Sequence, residues 1–230
     1  MAEDLDYWEP KIVKMYRTVF LLLSSVFLLC CNAPKRDTIA MPYYNTPEFE
    51  PIFIKDRSKV SKIITHTIDN FSFLNQDSIT ITQSIIENKI HIANFIFTTC
   101  GSICPVMTSN FKIVGDSLRN EKDVVLLSYS VTPWIDKPHI LKKYREKNNI
   151  TNSNWHFLTG DRTSIYKLAR KSYFAEENLG FSKDSSQFLH TEHIILVDKQ
   201  KRIRGVYNGT LSLEMHHLIE DIRNLQSEKN

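Results

Sequence analysis

The chain has 230 residues, 42% of them hydrophobic and 24% charged, and its formal net charge is +3. This length suits one globular domain with appendages. Lys and Arg are scattered among Asp and Glu, which excludes a function resting on nucleic acid or another polyanion.

The first distinctive stretch is Val19 to Cys31, apolar apart from Ser24 and Ser25 and preceded by Lys11, Lys14 and Arg17. Spanning a bilayer takes about 20 apolar residues. This shorter run, with its basic flank, has the form of a secretory signal. Met1 to Asp6 is acidic where a signal is basic, which points to Met15 as the start. Leu28-Leu-Cys-Cys-Asn32 resembles the bacterial motif cut before a cysteine that then receives lipid, with Cys31 as acceptor and Cys30 as its small neighbour. An uncleaved anchor is the alternative. Either way the domain is expected outside the cytoplasm, in the periplasm of a bacterial envelope, tethered to the membrane. Residues 1–32 are thus read as signal peptide or lipoprotein anchor. Residues 33–60, with Pro34, Pro42, Pro47 and Pro51 and no apolar period, read as a tether, and 61–228 as the folded domain.

Ile63 to Phe73 has strand composition, and Phe71–Leu74 with Ser78–Thr82 predicts a hairpin about Asn75-Gln76-Asp77. Ser84 to Asn88 suits a short helical turn. Ile90 to Phe97 is short, β-branched and aromatic, and hence a buried central strand. Cys100, Gly101 and Cys104 follow, then Pro105 and the helical series Met107, Phe111, Val114, Leu118. Proline is favoured in the first turn of a helix, so Cys100 closes a strand and Cys104 opens a helix. Val124–Val131 is a second buried strand, and Asp136–Asn148 an amphipathic helix with Ile140, Leu141 and Tyr144 inward. Trp155–Leu158 is a short strand, and Asp161 or Thr163 can cap the helix that runs on to Ser172. After a polar loop, Glu176–Gln187, the strands Thr191–Asp198 and Arg202–Tyr207 form a hairpin. A last helix spans Leu213–Leu225. Strands alternating with helices, then a hairpin and a helix, make an α/β pattern. The Cys pair at the first strand-to-helix junction makes it thioredoxin-like: a central mixed β-sheet flanked by helices, with an N-terminal hairpin extension. In such open sheets the working site lies at the carboxyl ends of the strands, where the cysteines are.

With Cys30 and Cys31 in the export segment, Cys100 and Cys104 are the thiols of the folded domain. A staple across so small a loop would add little by the chain-entropy argument, which favours a functional pair. N–H groups at a helix start favour thiolate, which is both nucleophile and metal ligand. The pair can close a disulfide, attack one in another protein, or hold a soft metal. Of eight histidines, His66 and His91 lie in strand-like stretches, His139 opens a helix, His156 sits in a short strand, His216 points away from the last helix's apolar stripe and His217 lies at its flank. His190 and His193 remain, His190 standing at the mouth of the C-terminal hairpin.

Taken together, these blocks resemble the SCO/SenC family of thioredoxin-like copper proteins, over roughly Ile63 to Leu225. The resemblance rests on Cys100-Gly-Ser-Ile-Cys104-Pro105, whose three-residue spacer differs from the two of thioredoxins. It rests also on Leu127-Ser-Tyr-Ser-Val-Thr-Pro133, Asp136-Lys-Pro138, Trp155-His-Phe-Leu-Thr-Gly-Asp161, and His190-Thr191 with Leu196-Val-Asp198. It implies copper ligands at Cys100, Cys104 and His190. The family commonly has Asp before the proline where this chain has Thr132-Pro133, which removes one outer-sphere carboxylate; Asp136 remains. Two thiolates and an imidazole suit Cu(I), and hold Cu(II) with an added ligand. A structural zinc site usually has four protein ligands, and no fourth is evident. The resemblance implies a monomeric metallochaperone for the binuclear copper site of a respiratory cytochrome c oxidase, with that enzyme's copper-site subunit and envelope thiol reductants as partners. The alternative is a thiol–disulfide oxidoreductase that keeps the recipient's cysteines reduced. It uses Cys100 and Cys104 as a redox pair and does not need His190. A plain disulfide in a binding module is the third reading.

Overall fold

The structure, a computed structural model, describes residues 41–175 and 191–228. Its strands are β1 (Ser72–Asn75), β2 (Thr80–Thr82), β3 (Ile90–Ile96), β4 (Val124–Ser130), β5 (Trp155–Thr159), β6 (His193–Val197) and β7 (Ile203–Asn208). The main helices are α1 (Ile103–Ser117), α2 (Pro138–Lys147), α3 (Arg162–Lys167) and α4 (Ser212–Ser227). α3 runs on into a π-turn over Leu168–Ser172, closed by the Tyr173 N–H on the Leu168 carbonyl at 3.1 Å.

The strands form one sheet in the order β2-β1-β5-β4-β3-β6-β7. β3, β4 and β5 are parallel, while β1 and β6 join them antiparallel on either side. β3 and β4 are buried at every position, which is why both read as continuous rather than alternating apolar runs. Ile90, Ile92 and Ile96 enter one core with α1, α2 and α4 residues, among them Phe111, Leu141 and Leu218. Ala93 and Phe95 enter the other, with Tyr129, Ile165, Tyr173 and the hairpin residue Phe73. The period of two along a strand makes this division. α1 lies close on the sheet: a Cβ at Gly115 would meet the Trp155 ring at 2.9 Å.

The mixed α/β architecture with its hairpin matches the expectation, and three local differences have physical reasons. The chain from Ile64 to Phe71 is not a strand. Ile64, Ile68 and Phe71 are buried singly, and the Ile68 N–H bonds to Lys201, so its β-branched content reflects burial and not a ladder. α2 begins at Pro138 and not at Asp136, because Lys137 is extended (φ −72°, ψ 161°), as a residue preceding proline prefers. Residues 41–60, within the stretch expected as a tether, are laid on the domain. Tyr43 pairs with Ile52 and Tyr44 with Ile203. The Arg204 guanidinium stands 4.0 Å from the Tyr43 ring centroid and forks onto Glu228 at 2.9 and 3.0 Å. The segments read as signal and anchor lie outside the described residues. Among the described residues no helix is long and apolar enough to cross a membrane.

Candidate metal centre

β3 ends at Ile96, and Phe97 to Ser102 form the loop into α1. The Cys100 N–H turns back onto the Phe97 carbonyl at 3.3 Å. Cys104, Met107, Thr108, Phe111, Val114 and Gly115 are the buried residues of α1, spaced as one helical face. Cys104 is therefore the first member of the stripe that faces the sheet and is 4% exposed. Cys100, just ahead of the helix, is partly exposed. Both thiols are free.

Their environments differ in a way the spacing alone did not convey. Burial raises the Cys100 thiol's pKa, but the backbone N–H groups of Cys104, Ser102 and Ile103, with the Cys104 thiol, outweigh it and hold the group below its ordinary 9.0. Cys104 is pushed up to about 12, first by burial, then by the adjacent Cys100 and the charge of Asp136. The helix start thus favours thiolate at Cys100 and not at Cys104, because those N–H groups point back to the residue that precedes the helix. Cys100 is the accessible sulfur that ionises first, and Cys104 the protonated one behind it. A bound cation would reverse the penalty at Cys104, so metal loading displaces its proton.

Three more side chains complete the centre. Asp136 is fully buried, and its carboxylate accepts hydrogen bonds from the Thr98 N–H (3.2 Å) and hydroxyl, from Ser130 (2.6 Å) and from Thr132 (2.9 Å). On α2, the Tyr144 hydroxyl shares a 2.7 Å hydrogen bond with Thr108, one turn beyond Cys104. Burial raises the Tyr144 pKa, and the fields of Cys104, Cys100 and Asp136 add to the rise, although Thr108 opposes it. The Tyr144–Thr108 hydrogen bond was not legible in the sequence, where Tyr144 reads as one inward residue of an amphipathic helix.

Cys100 and Cys104 are brought together; His190 lies outside the described residues. Its described neighbours are informative. β6 runs antiparallel to β3 in the register Ala93↔Ile195, Ile92↔Leu196, His91↔Val197. The chain therefore enters β6, through Thr191 and His193, at the end of the sheet where β3 delivers the cysteines. Among the described residues no group of three or more His, Cys, Asp and Glu side chains is placed to hold a metal. Five of the other histidines lie elsewhere. His91 shares a 3.1 Å hydrogen bond with the Tyr173 hydroxyl, His66 bonds the Ser172 carbonyl at 2.8 Å, and His139, His216 and His217 are exposed.

The SCO1/SenC family model matches residues 61–227. The SCO1 protein homolog of Bacillus subtilis is 31% identical over 168 residues, covering 72% of this chain and 86% of the relative. A SCO1/SenC family lipoprotein from Bacillus anthracis superposes with a TM-score of 0.61 at 29% identity, covering 70% of this chain and 96% of that one. BsSco, described as a member of the Sco family of cytochrome c oxidase assembly proteins with a disulfide switch, gives 0.60 at 30% identity, covering 71% and 95%. ScoI of Bradyrhizobium japonicum, solved with copper bound, gives 0.55 at 21% identity, covering 69% and 99%, a likeness of fold.

Proposed function

Because the chain belongs to the SCO1/SenC family, we propose that it is a copper-carrying assembly factor that supplies the binuclear copper site of a respiratory cytochrome c oxidase. The observation that carries this reading is the free thiol pair at the carboxyl end of the central strand, one sulfur accessible and ionisable, the other buried beside a carboxylate. Two such sulfurs are soft ligands suited to Cu(I). His190, the residue before Thr191 in the sequence, is the third ligand in this reading. Copper is cargo here. A thiolate of the recipient's copper-site subunit displaces Cys100, the exposed ligand, and then Cys104, with the copper oxidation state unchanged throughout. The recipient must then cover the end of the sheet at which Val106, Trp134, Ile135, Leu211 and Leu213 are exposed. The domain works as a monomer outside the cytoplasm, tethered to the bacterial membrane through residues 1–32. The lipoprotein relative from Bacillus anthracis supports that address.

A second reading is favoured by the division between the two thiols. A Cys100 thiolate attacks a disulfide in the recipient and forms a mixed disulfide. The Cys104 sulfur then attacks Cys100, its proton passing to the departing thiolate. The recipient gains two electrons, and this chain is left with a Cys100–Cys104 disulfide for an envelope thiol reductant to reopen. The disulfide switch of BsSco supports it.

The deciding experiment is Cu(I) affinity of the reduced chain, with and without His190→Ala. Loss of a residue that merely supports a ligand typically costs 10–100-fold, so loss of a ligand itself is expected to weaken binding by more than about a hundredfold. Equal, weak binding in both, with disulfide reductase activity retained, overturns the copper reading and promotes the oxidoreductase.

A further inference from the structure

Asp136 is 0% exposed, and the hydrogen bonds it accepts from Thr98, Ser130 and Thr132 all come from uncharged groups. A carboxylate is rarely taken out of water without a cation, because hydroxyl and amide dipoles offset its desolvation only in part. The position of this one is specific. Thr98, which holds it by both backbone and side chain, is two residues from Cys100 on the same loop. Ser130 ends β4 beside the Ile96 end of β3. Its charge reaches the thiol pair: after burial and Cys100, it is among the influences that raise Cys104. Where a second carboxylate could stand, Thr132 presents a hydroxyl that donates to Asp136 and leaves its charge single.

Resting on the copper reading, we propose that Asp136 is a positioning residue whose fixed charge biases the site toward the more highly charged copper ion. Two thiolates around Cu(I) make a centre of net charge −1, and around Cu(II) a neutral one. A buried anion nearby repels the first and tolerates the second. Asp136 therefore holds the copper reduction potential down, while its tie to Thr98 keeps the cysteine loop in register with the charge.

The test uses the full-length reduced chain loaded with one equivalent of copper. Cu(I) affinity, Cu(II) affinity and the one-electron potential are measured for wild type, Asp136→Asn and Thr132→Val. Asp136→Asn is expected to weaken Cu(II) about tenfold more than Cu(I), a rise of about 59 mV for a one-electron couple. Thr132→Val keeps the charge but removes a donor that partly neutralises it, and moves the potential the opposite way. Equal loss for both ions in Asp136→Asn marks a merely structural role and overturns the inference, as does an unchanged potential. Should Asp136→Asn not fold, Thr132→Val decides: a fall in potential supports the inference, and a rise or no change overturns it. A wild type that takes up no copper overturns both this inference and the copper reading. A wild type that binds copper, with an Asp136→Asn potential equal to its own, overturns this inference alone.

Discussion

Tyr129 and Ser130 are neighbours on β4, and the pleat sends them to two different buried polar clusters. Ser130 donates to Asp136 in the cage beside the cysteines. Tyr129 points the other way, where its hydroxyl meets that of Tyr173 at 3.2 Å and Tyr173 in turn meets His91 at 3.1 Å. Both clusters are buried, and both are built on β3 and β4 with residues from distant segments. They differ in charge. The cage holds a carboxylate with neutral donors next to two reactive sulfurs. The chain of rings is neutral: burial, and then the charge of Lys201, depress His91 to about 3, and burial raises Tyr129 and Tyr173. A buried polar group without charge serves packing and direction, and it costs least when all its members stay neutral. A buried charge is far more costly, and the one in the cage stands where metal chemistry can use it.

The comparison can be broken from the neutral side. Tyr173→Ala removes a fully buried ring and the partner of both His91 and Tyr129, and is expected to cost about 3–5 kcal/mol by denaturant unfolding. If that cluster is structural alone, the folded variant keeps its Cu(I) affinity within about twofold, as distant sites do. A large loss of affinity would show that the two clusters are coupled.

His91 sharpens it through pH. Its folded pKa of about 3 lies below the ordinary 6.5, so between those values the unfolded chain takes up a proton that the folded one refuses. Stability from this group is full above pH 6.5 and lost as pH falls below it. Between pH 7 and pH 5 the loss is about 2 kcal/mol. His91→Phe is expected to flatten that part of the stability–pH curve, measured by urea unfolding at each pH. An unchanged slope would mean that other groups carry it.

The smallest effect expected is that of Tyr129→Phe. It deletes one hydroxyl–hydroxyl bond and leaves the His91–Tyr173 bond in place, at a cost of about 1 kcal/mol in the same assay. The copper potential should not move, in contrast with Asp136→Asn.

By itself the sequence determined the α/β class, the strand-to-helix junction and the thiol pair on it. Each is a local pattern: a buried β-branched run, two cysteines with three residues between them, a proline in a first helical turn, apolar residues at helical spacing. It also carried the family resemblance in ordered blocks. The composition of Ile63–Phe73 misled, because buried residues can be β-branched without forming a ladder. What only the tertiary structure decided was the division between Cys100 and Cys104 and the cage around Asp136. The helix start serves Cys100 because the loop folds back, and Cys104 is buried because it heads the face of α1 that packs on the sheet. Asp136 meets Thr98 across 38 residues of chain. A long-range hydrogen bond leaves no period or spacing in sequence, since its partners are brought together only by the parallel pairing of β3 and β4, whose carboxyl ends Thr98 and Asp136 follow.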